Sequence, residues 1–430
     1  MNYEETIQYL FNSTPIFEKI GAGAYKEGLS NTHLLDEHFN HPHRNYKTIH
    51  IAGTNGKGSC SHTIAAILQA AGYKVGLYTS PHLVDFRERI RVNGHPVSKE
   101  YVIDFVEKEK DFFEPLHPSF FELTTAMAFK YFAEEKVDVA VIEVGLGGRL
   151  DCTNIISPDL CVITNISFDH TQFLGHTLGA IAGEKAGIIK EHTPVVIGET
   201  VPETKTVFEN KAKEMNAPII FAEEERLLHS YKEEDGRFIY QTRFYPNLRG
   251  ELSGFCQIYN TNTILSALRQ LVSLGYKIPD NAVYEGFAHV CELTGLMGRW
   301  QTIQHKPLVI CDTGHNVGGF EYIAKQIRSV KCRQLRIVIG MVDDKDYTEV
   351  LSMLPIDAVY YFTQAAVKRA VPVDKFYETA RKEGLDGQCY TSVMEAYKAA
   401  LKDADKEDFI FVGGSSYIVS DLLQGLEKEI

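Results

Sequence analysis

The sequence predicts an α/β fold: a doubly wound, mostly parallel sheet domain followed by a smaller α/β domain. Three observations carry this. Apolar runs rich in Val and Ile, such as those around 139–142 and 160–163, alternate with stretches of helical period. Continuous apolar strands separated by helices indicate a parallel sheet covered on both faces. The first clear strand, Thr48 to Ala52, runs straight into a Gly-rich turn and then a helix. After a break near Leu293 to Gly298 the alternation starts again. A chain of 430 residues has room for roughly two to four cores of ordinary size.

Taken in order, the helix after the first turn carries Ile64, Ile67, Leu68 and Ala71 at helical spacing, with Gly72 as its stop. Strands follow at Val75 to Tyr78, Val137 to Val144, Leu160 to Ile166 and Pro194 to Ile197. Asn93-Gly94, flanked by β-type residues from Ile90 to Val97, signals a hairpin. The charged and aromatic stretch Glu223 to Tyr245, with Asp235-Gly236 as its turn, reads as a peripheral hairpin outside the core. A helix is expected over Thr261 to Leu274. Beyond the break come a strand at Leu308 to Cys311, a helix at Val317 to Ser329, a strand at Arg336 to Gly340, a helix at Tyr347 to Leu354, a strand at Ala358 to Phe362, a strand at Phe409 to Val412 and a last helix from Tyr417. This places the domains at 1–296 and 297–430, the second of nucleotide-fold type.

A formal net charge of −13 argues against a nucleic-acid backbone or an anionic membrane as main partner. It leaves room for a local basic pocket. No apolar run approaches the roughly 18 residues of a membrane span, and the N-terminal stretch has no basic cluster before an apolar core. The eight Cys form no CxxC pair and no zinc spacing. They are expected to be small buried hydrophobes in a cytoplasmic protein.

The turn itself is Gly53-Thr54-Asn55-Gly56-Lys57-Gly58-Ser59. Between a strand and a helix, such a loop can bind phosphate: glycines let the backbone present N–H groups, the helix N-terminus adds partial positive charge and Lys57 adds a full one. The loop is of P-loop type but departs from the strict pattern. Ile51 stands at its first Gly and Gly58 at its hydroxyl, with Ser59 offering one a residue late. The plain alternative is an ordinary Gly-rich βα turn.

Glu143 ends an apolar strand, where open parallel sheets bind ligands, and a carboxylate there can hold Mg²⁺. It reads equally well as a surface Glu. Asp169-His170 follows the next strand and is expected at the same sheet edge, although a lone His is more often structural. Lys185 falls in a helix, and from the residues alone it reads as a solvated lysine.

Several segments in order resemble one family. They are the Gly53–Ser59 loop, Thr79-Ser80-Pro81-His82-Leu83, Glu88 to Gly94, Glu143-Val144-Gly145-Leu146-Gly147-Gly148-Arg149-Leu150-Asp151, Asp169-His170, Glu184 to Ile188, Gly298-Arg299-Trp300 and Asp312-Thr313-Gly314-His315-Asn316. The chain resembles the folylpolyglutamate synthases/dihydrofolate synthases of the Mur ligase superfamily, from about His50 to Arg369. The resemblance implies an ATP-dependent amide ligase that joins L-glutamate to a pteroate or folate carboxylate, working as a monomer. It puts Mg²⁺ ligands, for two ions, on Ser80, Glu143 and His170, and a carbamylated lysine on Lys185. Adenine and ribose contacts fall on Asn260, Arg299 and Asp312, with His315 beside them. Arg369 matches a late Arg-Ala signature, and Phe121 and Asp151 fall in the pterin pocket. Cys152 and Thr313-Gly314 depart from the family's usual residues.

A carboxylate must be activated before it forms an amide in water. The resemblance therefore implies attack of the pterin carboxylate on the γ-phosphate of ATP, giving an acyl phosphate that the glutamate amine then opens. Lys57, Lys185 and His170 are the expected catalytic groups. Arg299 lies beyond the domain break and is expected to couple closure to chemistry. Two rivals stand beside this reading. A cell-wall Mur-type ligase would carry a longer domain before the loop, where only Met1 to Lys47 stands here, and Thr or Ser directly after the loop Lys. A nucleotide switch would turn over ATP without regard to pterins or glutamate.

Overall fold

A computed structural model describes residues 1–13, 28–343 and 347–429. The large sheet contains β1 (Lys47–Ala52), β2 (Val75–Tyr78), β3 (Ile90–Val92), β4 (His95–Pro96), β5 (Val139–Glu143), β6 (Leu160–Ile163), β7 (Val195–Ile197) and β8 (Ile219–Phe221). Their order is β4-β3-β2-β5-β1-β6-β7-β8. From β2 to β8 every neighbour is parallel. The antiparallel pair β3–β4 forms one edge, and its turn has positive φ at Asn93 (48°) and Gly94 (77°), as a two-residue hairpin of right-handed twist requires.

Ile49, Ile51, Val139 to Ile142 and Leu160 to Ile163 are fully buried, which explains why these strands read as unbroken apolar runs. On one face lies a core built with helix Phe120–Glu134, including Leu123, Met127 and Phe132. A second core holds Ile163, Ala182, Ile197 and Phe208. From β1 the chain goes to β2, inserts β5 between them, and then crosses to β6 on the other side of β1. This reversal makes the carboxyl end of β1 a topological switch point, where a crevice opens.

A three-stranded antiparallel sheet follows, made of β9 (Leu228–Glu234), β10 (Arg237–Thr242) and β11 (Leu248–Gly250). The turn falls at Asp235-Gly236, with φ of 51° and 71°. This corrects the expectation of a hairpin outside the core: Phe238 and Tyr240 are fully buried. The third strand, β11, makes β10 a central strand, and a central strand is covered where β9 is exposed.

The remaining sheet comprises β12 (Gln301–His305), β13 (Leu308–Asp312), β14 (Leu335–Ile339), β15 (Val359–Phe362), β16 (Gly387–Cys389) and β17 (Phe409–Gly413), ordered β12-β13-β17-β14-β15-β16. Only β12 is antiparallel. Phe320, Ile337, Phe362, Phe376 and Phe411 centre its core. The chain divides into two compact units. One comprises Met1–Ser167, Thr171–Glu251 and Gln257–Leu296; the other comprises Phe168–His170, Leu252–Cys256 and Met297–Ile430.

Three further expectations need correction. Helix Cys256–Ser273 begins five residues before the expected Thr261, so Asn260 lies within it. Strand β6 stops at Ile163 rather than Ile166, because Thr164 and Asn165 turn their polar groups to the neighbouring loop. All eight cysteines are free thiols, but only Cys60, Cys161 and Cys311 are buried, and Cys389 is exposed.

Candidate active site

The Gly53–Ser59 loop leaves β1 at the switch point, and helix Lys57–Ala70 starts inside it. Two glycines are obligatory by position. At Gly53 (φ 145°) a Cβ would collide with Thr164 Oγ1, and at Gly56 (φ 83°) with Asn260 Oδ1. Residues after β6 clamp the loop from one side. Thr54 N donates to Asn165 O (2.9 Å), Asn55 N to Asn165 Oδ1 (3.0 Å), Ser167 N to Thr54 Oγ1 (3.0 Å) and Thr164 Oγ1 to Asn55 O (2.5 Å). Gly56 is the helix N-cap, and no side chain caps the helix there. Lys57 Nζ donates to the Gly53 and Thr54 carbonyls (3.0 Å each), which places the ammonium over the loop. The arrangement suits an anion: backbone donors, a helix N-terminus and a fixed cation.

Ser59 does not supply the missing loop hydroxyl. It is buried, and its Oγ accepts from Gln257 Nε2 (3.1 Å), whose Oε1 accepts from Asn260 Nδ2 (2.9 Å). This Ser59–Gln257–Asn260 chain braces the loop against helix Cys256–Ser273. Sequence reasoning did not find Gln257 or Thr164, since nothing local distinguishes an interior helix Gln or a strand-end Thr.

Glu143 ends β5, paired in register with Ile51 of β1. Its side chain is buried, and its Oε2 accepts from Ser80 N (3.2 Å). The backbone of Ser80, just past the end of β2, therefore stands beside it. A buried carboxylate is an oxygen donor of the kind a hard cation takes.

Beyond Glu143 the chain forms a loop closed by Asp151. Asp151 Oδ2 accepts from Leu146 N (2.8 Å), and its Oδ1 accepts from Thr153 N (3.0 Å) and the Thr153 hydroxyl. Burial raises the Asp151 pKa above the usual carboxylate value, against the pull of these hydrogen bonds. Phe121 covers Gly145 so closely that a Cβ there would strike the ring. Phe121 and Asp151 thus shape the same Gly-rich loop. Lys185 is buried in helix Leu178–Ala186, which corrects the reading as a solvated lysine. Gly148 packs against this helix where only Gly fits: a Cβ would lie 2.8 Å from Glu184 O and 3.1 Å from Lys185 Cα.

In the second unit, Asp312 ends β13 and receives two backbone donors, Trp300 N at Oδ2 (2.7 Å) and Gly314 N at Oδ1 (2.8 Å). Burial raises its pKa, with the Arg299 charge opposing. Thr313 Oγ1 donates to Gly298 O (3.1 Å), so the Thr departure helps hold the Gly298-Arg299-Trp300 turn. His315 Nδ1 faces Thr313 O (3.0 Å), and its Nε2 lies 3.4 Å from Asp169 Oδ2. Asn316 caps helix Val317–Ser329 through Gly319 N (2.8 Å) and donates to Asp169 Oδ2 (2.9 Å). Phe168–His170 therefore groups with this unit. His170 has φ 49° and its N–H donates to Asp169 Oδ1 (2.8 Å). Arg369 lies apart from these groups in sequence, on the loop after β15, where its carbonyl accepts from Asp343 N (2.9 Å).

The Mur ligase middle-domain family matches residues 51–261, and the Mur ligase glutamate ligase domain matches residues 298–416. The dihydrofolate synthase/folylpolyglutamate synthase of Bacillus subtilis (strain 168) is 34% identical over 424 residues, covering 94% of this chain and 95% of that protein. The chain belongs to the dihydrofolate synthase/folylpolyglutamate synthase family. The folylpolyglutamate synthase of Lacticaseibacillus casei is 31% identical and covers 99% of both chains. Among solved structures, Escherichia coli FolC in complex with DHPP and ADP superposes with a TM-score of 0.86 at 31% identity, covering 100% of this chain and 98% of that one. The Yersinia pestis bifunctional enzyme complexed with AMPPNP and Mn ion gives 0.83 at 28% identity, covering 99% and 98%. Membership agrees with the α/β architecture expected from the sequence.

Proposed function

We infer that this chain is an ATP-dependent acid–amino-acid ligase that adds L-glutamate to a pterin acceptor: dihydropteroate, the γ-carboxylate of a reduced folate, or both. The observation that carries the reading is the glycine-capped helix start at the switch point, with Lys57 held over it, in a chain of this family. Donors and a fixed cation of this kind suit the γ-phosphate of ATP.

In the proposed reaction the acceptor carboxylate oxygen attacks the γ-phosphorus and ADP leaves. The glutamate amine attacks the acyl carbon of the resulting acyl phosphate, loses a proton, and phosphate departs with the former carboxylate oxygen. Gly56 to Ser59 position the phosphates, chiefly through backbone N–H groups, on a loop whose shape Thr54 and Asn55 set through Asn165, while Lys57 exchanges its loop carbonyls for phosphate oxygens. Ser80 and Glu143 suit one Mg²⁺. His170 and a carbamylated Lys185 are proposed for a second. A carbamate forms when a neutral amine takes up CO₂ and releases a proton, and it turns a cation into an oxygen ligand. Bound Mg²⁺ supplies charge neutralisation to the phosphates. Asn260, Arg299, Asp312 and His315 are proposed nucleotide contacts, and Phe121, Asp151 and Arg369 substrate contacts. The reading includes a cytoplasmic monomer with no nucleic-acid or membrane partner. Among the described residues no helix is long and apolar enough to cross a membrane.

The test is phosphate release from ATP with Mg²⁺ and L-glutamate, with dihydropteroate or tetrahydrofolate as acceptor. Release with dihydropteroate alone makes the chain a dihydrofolate synthase, with tetrahydrofolate alone a folylpolyglutamate synthase, and with both a bifunctional enzyme. Turnover indifferent to acceptor and glutamate contradicts the proposal.

A further inference from the structure

Outside these groups, three side chains converge just ahead of β1. Helix Ser30–His38 ends with Asp36 in its last turn. Asn40 and His41 both take left-handed backbone (φ 60° and 53°) and fold the chain back. His41 N then donates to Asp36 O (2.8 Å), and Arg44 N to His41 O (3.1 Å). Pro42 opens a short 3₁₀ turn, Pro42–Asn45, which carries His43. Among the described residues, Asp36, His41 and His43 alone form a group of three potential ligands, with one donor atom of each within 4.8 Å of the others.

The details favour a shared ion over a simple ion-paired triad. Asp36 and His43 are 7% and 8% exposed, so both present their donors in a dry setting. His43 Nε2 stands 3.4 Å from Asp36 Oδ1. Yet Asp36 Oδ1 is buried and accepts no hydrogen bond. At 3.4 Å the carboxylate oxygen and the imidazole nitrogen are neighbours, and no hydrogen bond is formed between them. Two ligands of one tetrahedral zinc, at bond lengths of about 2.1 Å, stand about 3.4 Å apart in the same way. His41 Nδ1 lies 2.6 Å from Asp36 Oδ2. His41 is 35% exposed, so it can rotate to the third position and leave a fourth to water.

We propose that Asp36, His41 and His43 form a binding site for a divalent transition ion of zinc type, separate from the groups assigned to ATP and Mg²⁺. Two imidazoles and a carboxylate suit zinc over magnesium, which prefers an all-oxygen shell. The ion ties the end of helix Ser30–His38 to the turn that feeds β1, and so anchors the strand that ends in the phosphate loop. Ion binding competes with protons for the ligand atoms, so it weakens as pH falls.

The full-length chain, stripped with a chelator, is loaded with Zn²⁺ in excess Mg²⁺, desalted and assayed for metal; Co²⁺ is loaded in parallel and its visible absorption recorded. The expected result is one Zn²⁺ per chain and a tetrahedral Co²⁺ band. Both weaken about tenfold or more in H41A and in D36N, while E143A retains them. Since D36N removes a buried charge and can unfold the chain, H41A, at a half-exposed position, decides by itself. No retained Zn²⁺ in the wild-type chain, or retention unchanged in H41A, overturns the proposal and leaves the triad as an ion pair. Either outcome is independent of the ligase reaction.

Discussion

The loops that follow β1 and β13 use the same strand–loop–helix frame for opposite purposes. After β13, Asp312 absorbs the N–H groups of Trp300 and Gly314, and Asn316 caps its own helix. That loop caps its own helix with its own side chains. After β1, the N-cap is Gly56, which has no side chain to offer the helix. The bracing comes from outside, through Thr164, Asn165, Ser167 and the Gln257–Asn260 pair. A loop braced by others can keep its helix N-terminus for a ligand. The difference separates a loop that keeps its helix N-terminus open from one that caps its own helix.

The sharpest way to break this contrast is at Lys57. Lys57→Ala should lower kcat by about 10²–10³-fold, as the loss of one charge-stabilising contact does, while thermal unfolding shifts little. Normal turnover would sink the loop assignment. Gly56→Ala should reduce turnover too, but also cost roughly 1–3 kcal/mol of stability, because its φ is 83° and Asn260 fills the space. On the other loop, Asn316→Ala should do the reverse. It should cost about 1–2 kcal/mol through the lost cap, read as a lower denaturation midpoint, with a smaller fall in kcat than at Lys57.

An effect confined to acid pH concerns β1 itself. His50 is fully buried, and its Nε2 meets Thr153 Oγ1 at 2.9 Å. Thr153 gives its own proton to Asp151, so His50 is the donor, and its Nδ1 has no hydrogen-bond partner. Protonation would bury an N–H without an acceptor. Burial, with Lys190 nearby, lowers its pKa from 6.5 to about 3. The unfolded chain thus binds a proton that the folded chain refuses, and stability falls as pH drops from about 6.5 towards 3. His50→Gln, which can still donate to Thr153, should flatten that slope by one proton in denaturation curves taken across this range. An unchanged slope would remove His50 from the acid response.

These particulars also mark what the sequence could reveal. Helix Val317–Ser329 was legible to the residue, because Asn316 caps it and its apolar face repeats at helical spacing. The Gly53–Ser59 loop was legible because its glycines answer local backbone demands. Strands β8, β11 and β16 were not, since three residues hold no period. The early end of β6 was also hidden: Thr164 and Asn165 look strand-compatible, and only a loop more than a hundred residues away takes up their polar groups. The partners of Asp169, His315 and Asn316, were hidden for the same reason. Bracing contacts between distant segments leave no local signal.

The central claim is that the acceptor carboxylate is activated as an acyl phosphate at the loop after β1. The most direct test uses a pterin acceptor with both carboxylate oxygens labelled with ¹⁸O, incubated with ATP, Mg²⁺ and L-glutamate. Mass analysis of the released phosphate should find one ¹⁸O per molecule, carried over when the amine displaces phosphate. Phosphate released without label alongside glutamylated product would contradict the account.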